Sequence, residues 1–144
     1  MSKILILGGG GMIGQKLAAA LAGSGDDITL FDVGFPSLSA PGHQVVGNVA
    51  DPASLTRLVQ DRPDVIYHLA AIVSGQAETD FDMGWDINMM AMWHLMTALK
   101  AQHDASGGAY VPKVVFTSSI AVFGGPFPAK IGDDFLHIIT CLKL

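Results

Sequence analysis

The sequence predicts a doubly wound α/β fold of the Rossmann type, with parallel strands in the order 3-2-1-4-5. Three observations point there. Apolar runs of strand length alternate with helix-forming segments, the first run leads straight into a glycine-rich turn that opens a helix, and an acid closes the second run.

The strands are expected at residues 4–7, 28–31, 45–46, 65–69 and 114–116, each bounded by turn or loop residues. The first helix, expected over 12–22, is rich in Ala and Leu and ends where Gly23 and Gly25 suit a left-handed cap. The second, over 52–60, begins with Asp51 as N-cap and Pro52 in its first turn. The third runs from about 82 to about 103, with Trp85, Met89, Met92, Met96 and Leu99 at helical spacing, a stripe better suited to core and subunit interface than to a ligand. Right-handed crossovers between such strands demand a parallel sheet.

Composition narrows the function classes. At 144 residues, half of them hydrophobic and 15% charged, the chain has one domain's worth of core, and its net charge of −5 offers no basic patch for nucleic acid or an anionic membrane. No apolar stretch approaches the ~20 residues of a membrane span. Cys141 is the only cysteine, so no internal disulfide can form and a cytoplasmic setting is expected. The histidines at 43, 68, 94, 103 and 137 never fall at ligand spacing, so no metal is expected. Asp80, Asp82 and Asp86 near a helix start, and Asp133 with Asp134 in a turn, need no catalytic explanation.

The chemistry lies in the run Gly8-Gly9-Gly10-Gly11-Met12-Ile13-Gly14. Glycine admits positive φ at a tight turn and lets backbone amides approach a pyrophosphate with no Cβ in the way. The phosphates then meet a helix N-terminus, where free N–H groups and the helix dipole favour negative charge. Asp32 stands 18 residues after Gly14, where the fold needs an acid to accept from the adenosine ribose hydroxyls. No Lys or Arg lies between Asp32 and Arg57, so a 2′-phosphate would face that carboxylate unaided and NAD is the expected cofactor.

From residue 3 to about 136 the chain resembles the extended short-chain dehydrogenases, the NAD-dependent sugar epimerase and dehydratase family. The Gly8, Gly11, Gly14 spacing is similar to that family's Gly-x-x-Gly-x-x-Gly, with Met12 and Ile13 between. The resemblance implies that Asn48 and Val49, within Gly47-Asn48-Val49-Ala50-Asp51, cradle adenine, although the family usually has Asp where Asn48 stands; an amide can still bond the adenine edge. It implies that Leu69, Ala70 and Ala71 pass beneath the nicotinamide ribose, and that Asn88 steadies their loop. It assigns the fifth strand's end, Thr117-Ser118-Ser119, to the active site, with Ser119 as the catalytic hydroxyl that also binds substrate, Thr117 beside the cofactor, and Ser74 in the loop facing nicotinamide and substrate. The implied substrate is a small sugar or sugar acid.

A carbinol can be oxidised only as its hydroxyl proton is removed, so such a site needs a hydroxyl to orient the oxygen and a base in reach. In the family a Tyr removes the proton and a Lys lowers that Tyr's pKa. Here Tyr-x-x-x-Lys does not occur: the two tyrosines are Tyr67, on the fourth strand, and Tyr110, ahead of the fifth. Counted on from Ser119, the family's Tyr falls at or beyond Leu144. The expectation is therefore a domain over 1–136, a non-matching tail over 137–144, no C-terminal substrate domain, and little or no turnover. A mean hydropathy of +0.44 suits a chain that self-associates, and the resemblance implies a homodimer for the full-length form. Three functions follow: a sugar-acid dehydrogenase, an NDP-sugar epimerase or dehydratase, and a dinucleotide-binding module without catalysis.

Overall fold

The computed structural model describes residues 1–36, 41–118, 129, 130 and 132; the expected tail over 137–144 lies outside them. Among the described residues, β1 (Lys3–Leu7), β2 (Asp27–Asp32), β3 (His43–Val46), β4 (Val65–His68) and β5 (Lys113–Phe116) form one sheet, ordered β3-β2-β1-β4-β5. Every pairing is parallel, as the alternation of strands and helices predicts. Leu7 stands opposite Phe31 and His68, Asp32 opposite Val46, and His68 opposite Phe116, so the strands end along one carboxyl edge.

The helices form where propensity and capping agree. Helix α1 (Met12–Leu21) follows the glycine turn and gives way to Gly23 and Gly25, both at positive φ. Helix α2 (Pro52–Gln60) has the expected bounds. Its N-cap Asp51 accepts from Ala53 N at 3.1 Å and from Ser54 N at 3.0 Å. The Ser54 hydroxyl and the Ala53 amide hold that carboxyl below the usual carboxylate range.

The third helical region is longer and more broken than its periodicity suggests. Two short helices, α3 (Ser74–Thr79) and α4 (Phe81–Trp85), lead into a π-helical turn over Asp86–Met90 and then α5 (Ala91–Ala105). Asp80 caps α4 by accepting from Met83 N at 3.0 Å, the bland role expected of it.

The sheet separates two apolar layers. On one face Ile4, Ile6, Ile28 and Leu30 pack with Ala18 of α1. On the other, Leu5, Leu7, Phe31 and Ile66 pack with Leu55 and Val59 of α2 and with Ala91, Leu95, Ala98 and Leu99 of α5. The stripe expected to serve core and subunit interface is split between core and surface. Leu99 is buried and Met92 packs against the core, whereas Trp85, Met89 and Met96 are exposed. Among the described residues no helix is long and apolar enough to cross a membrane.

Candidate dinucleotide-binding site

The glycine run closes β1 and opens α1 at the carboxyl edge of the sheet. Gly8, at φ +87°, turns the chain, and its amide and that of Gly9 donate to Phe31 O at 2.9 and 3.1 Å, binding the turn to the end of β2. Gly11 is the N-cap of α1 and brings no side chain to cap it. The amides of Met12, Ile13 and Gly14 have no partner within a helix at these positions and remain available to an anion.

The loop is packed too closely for side chains. A Cβ on Gly8 would lie 2.7 Å from Ala70 N, on Gly10 2.1 Å from Gly34 O, and on Gly14 2.3 Å from Gly8 O. On Gly11 it would meet only Gly8 O, at 3.4 Å, an ordinary contact. Gly8, Gly10 and Gly14 are therefore glycine for the fold, while Gly11 stands on the open side of the loop.

Asp32 ends β2 beside this loop. Its Oδ2 accepts from Gly10 N at 2.9 Å and its Oδ1 from Val33 N at 2.7 Å. Each oxygen retains a lone pair, so the half-buried carboxylate is held in place and can still accept from a ligand hydroxyl. Sequence reasoning missed both this tether and Gln15, whose Nε2 donates to Gly10 O at 2.6 Å from one turn into α1. A polar residue at the start of an Ala-rich helix was the available signal.

The other wall follows β4. Leu69 N donates to Leu7 O at 2.8 Å, and the Asn88 amide grips the Ile72 peptide from both ends, accepting from Ile72 N at 2.9 Å and donating to Ile72 O at 3.0 Å. Asn88 lies in the π turn, so these bonds tie that turn to the chain after β4. Between the walls is a cleft of about 170 Å³ lined by Gly8, Gly11, Asp32, Leu69, Ala70 and Ala71. Glycines too crowded for a Cβ, open helix amides and an immobilised acid fit the diphosphate and ribose of NAD.

Val49 is buried beneath the segment after β3, and the exposed Asn48 turns outward, its Oδ1 accepting from Ala50 N at 2.9 Å. Thr117 donates through its amide and its Oγ1 to His68 O, both at 3.4 Å. Met12 and Ile13 are exposed at the start of α1. Ser74 opens α3. Ser119 lies outside the described residues.

His68 holds a feature the sequence reading overlooked. It is 2% exposed and packs edge-on to Phe116, with ring centroids 5.9 Å apart. Among the described residues neither ring nitrogen has a hydrogen-bond partner. Burial pushes its pKa below the ordinary 6.5. The unfolded chain therefore takes up a proton here as pH falls through 6.5 while the native chain resists, so stability is full above 6.5 and declines toward the native ring's lower pKa. We expect His68→Leu, which removes two unpaired buried nitrogens, to raise unfolding stability by about 1 kcal/mol at neutral pH and to flatten the acid limb below it. Urea melts from pH 7.5 to 4.5 check this; an unchanged pH slope would count against it.

Comparison with known proteins agrees with this geometry. The chain is 36% identical to D-erythronate dehydrogenase of Cupriavidus necator over 92% of its own length and 43% of that protein's. The solved nucleoside-diphosphate-sugar epimerase of Agrobacterium tumefaciens superposes with a TM-score of 0.80 at 41% identity, covering 94% of this chain and 42% of that one. UDP-glucose 4-epimerase of Brucella ovis, solved with NAD, gives 0.74 at 28% identity, covering 92% and 40%. The chain therefore spans about two fifths of these relatives' length. The sequence profile of the NAD dependent epimerase/dehydratase family matches residues 4–137, and with the glycine cradle, the tethered acid and the strand order in place, the chain belongs to that family.

Proposed function

We propose that these 144 residues are the NAD-binding part of an oxidoreductase that oxidises the C2 hydroxyl of a sugar acid such as D-erythronate. The observation that carries the cofactor reading is the Asp32 carboxylate, pinned by Gly10 N and Val33 N beside the glycine turn. The substrate reading is supported by the 36% identity to D-erythronate dehydrogenase.

In this reading Gly8, Gly11 and Gly14, with the amides of Met12 and Ile13, take the pyrophosphate. Asp32 takes the ribose hydroxyls, and Asn48 and Val49 border the adenine. Leu69, Ala70, Ala71 and Thr117 border the nicotinamide ribose, with Asn88 holding their loop. Bound NAD supplies the two-electron acceptor. Ser119, three residues past the end of β5, orients the substrate oxygen, and Ser74 contacts substrate from α3. These residues hold no Tyr-x-x-x-Lys to remove the carbinol proton, so binding rather than turnover is the activity proposed for them alone.

The partner proposed is a second copy. Phe81, Trp85, Met89, Trp93 and Met96 are spaced along one long helical run and are 40% to 70% exposed, more apolar surface than an unpartnered helix ordinarily presents. A cytoplasmic setting is proposed from the lone cysteine.

Calorimetric titration tests the cofactor reading. NAD is expected to bind at one site per chain and NADP at least about tenfold more weakly, because a 2′-phosphate would crowd a fixed carboxylate. Equal affinity, or a preference for NADP, would overturn it. A second reading, an NDP-sugar epimerase, is favoured by the 0.80 superposition on the Agrobacterium tumefaciens epimerase. An assay of the full-length protein that carries these residues separates the two: NADH absorbance with D-erythronate supports the first, and silence there with turnover of an NDP-sugar supports the second.

A further inference from the structure

Four consecutive glycines, Gly8 to Gly11, carry the chain from β1 into α1. The run has no side chains to seat it, and glycine gives up more backbone freedom on ordering than any other residue, so hydrogen bonds must set its shape. Its first half is fixed by the Gly8 and Gly9 amides on Phe31 O. Its second half is held differently. Gly11 N donates to Gly8 O at 3.2 Å, and among the described residues two side chains complete the set, both acting on Gly10: Asp32 Oδ2 accepts from its amide at 2.9 Å, and Gln15 Nε2 donates to its carbonyl at 2.6 Å.

These two side-chain bonds grip different peptide planes. The Gly10 N–H belongs to the plane before its Cα and the Gly10 C=O to the plane after it, so together they restrain both soft dihedrals of a residue that could otherwise turn freely. The second plane also carries the Gly11 amide. Without Gln15 it would be tied only by the Gly11 bond to Gly8 O, at the long end of the ordinary range. A plane so held, with glycine on both sides, can turn over, and the Gly10 amide on Asp32 would then be the one remaining restraint on Gly10. Gln15 suits the task. It is half-buried, its own amide is closed on Gly11 O at 3.0 Å, and a carbonyl can only accept, so the end of the side chain that faces Gly10 is the donor.

We propose that Gln15 is a positioning residue for the dinucleotide: by latching the Gly10 carbonyl it holds the glycine turn and, through the Gly10 amide, keeps the Asp32 carboxylate in the arrangement that selects a free ribose over a 2′-phosphate. The inference rests on the dinucleotide reading of the cleft and deepens it, adding a residue that acts through Gly10 rather than on the cofactor.

The test is calorimetric titration of the whole chain, of Gln15→Met and of Gln15→Asn with NAD and with NADP, after circular dichroism has verified folding. Met keeps the length and bulk and donates nothing; Asn keeps the amide but is one methylene short of Gly10 O. In both variants NAD affinity is expected to drop about tenfold, the worth of one well-placed hydrogen bond. NADP is expected to lose no more than about threefold, because it lacks the 2′-hydroxyl that Asp32 is held to receive. The margin of NAD over NADP therefore narrows, which a loss of general stability would not bring about. Hydrogen exchange gives a second readout: without ligand, the Gly10 and Gly11 amides should exchange about tenfold faster in the variants, while those of Leu5 to Leu7 keep the parent rate.

Unchanged NAD affinity in both variants would overturn the proposal, as would a loss shared equally by the two dinucleotides. If one variant fails to fold the other decides, and if neither folds Gln15 belongs to the scaffold and the proposal falls. A folded parent chain that binds neither dinucleotide, or prefers NADP, would instead overturn the reading of the cleft, a result obtained before either variant is made.

Discussion

Gly14→Ala is expected to destabilise the chain by about 3 kcal/mol and to abolish NAD binding, because the new methyl meets only backbone. Its Cβ would lie 2.3 Å from Gly8 O and 2.8 Å from Gly9 Cα, so neither a rotamer change nor a small side-chain shift relieves the clash. Helix α1 would have to withdraw from the turn, carrying its open N-terminal amides away from the phosphates. Gly11→Ala supplies the contrast. There the nearest atom is 3.4 Å away, so the melting temperature should hold while NAD affinity drops by about a hundredfold, since a methyl would occupy the pyrophosphate's approach. Thermal melts and calorimetric titration of both variants separate a glycine kept for the fold from one kept for the ligand. A Gly11→Ala chain that still bound NAD at parental strength would remove the pyrophosphate from this helix end.

Asp32→Asn is expected to weaken NAD binding by about ten- to a hundredfold and to narrow the margin over NADP. The carboxylate accepts from two backbone donors, Gly10 N at 2.9 Å and Val33 N at 2.7 Å, and an amide has one accepting end. Whichever donor it serves, the other faces an NH₂. Loss of the Gly10 bond frees the glycine turn; loss of the Val33 bond frees the acid's own loop. The substitution also removes the charge that repels a 2′-phosphate, so NADP should lose less affinity than NAD does. Titration with both cofactors measures it, and a proportional loss for the two would mean that Asp32 does not choose between them.

Much of this architecture was legible because each local signal agreed with the others. Asp51 and Pro52 mark a helix start that the backbone adopts residue for residue, and the alternation of strands with helices leaves few sheet orders to consider. Strand β3 reads from the sequence as Val45 and Val46 alone, since His43 and Gln44 are polar. In the sheet it runs His43–Val46, because an edge strand half open to solvent tolerates polar side chains while its backbone pairs with Thr29 to Asp32. The π turn was not legible: apolar residues at alternating steps of four and three read as one straight α-helix, and nothing in the residue types between Asp86 and Met90 announces an extra residue in the turn. The His68 ring was legible in principle, since strand alternation sets it on the same face as Ile66.

The π turn has a consequence for how the gene can change length here. An α-helix returns to the same side about every 3.6 residues, so one residue removed between Asp86 and Met90 would let the segment relax to ordinary pitch. Ala91, Leu95, Ala98 and Leu99 could keep their seats against the sheet, and the chain would still fold. The Asn88 clasp on Ile72 would be swung off its mark. A single lost codon at this spot would leave a sound scaffold with an unmoored loop after β4.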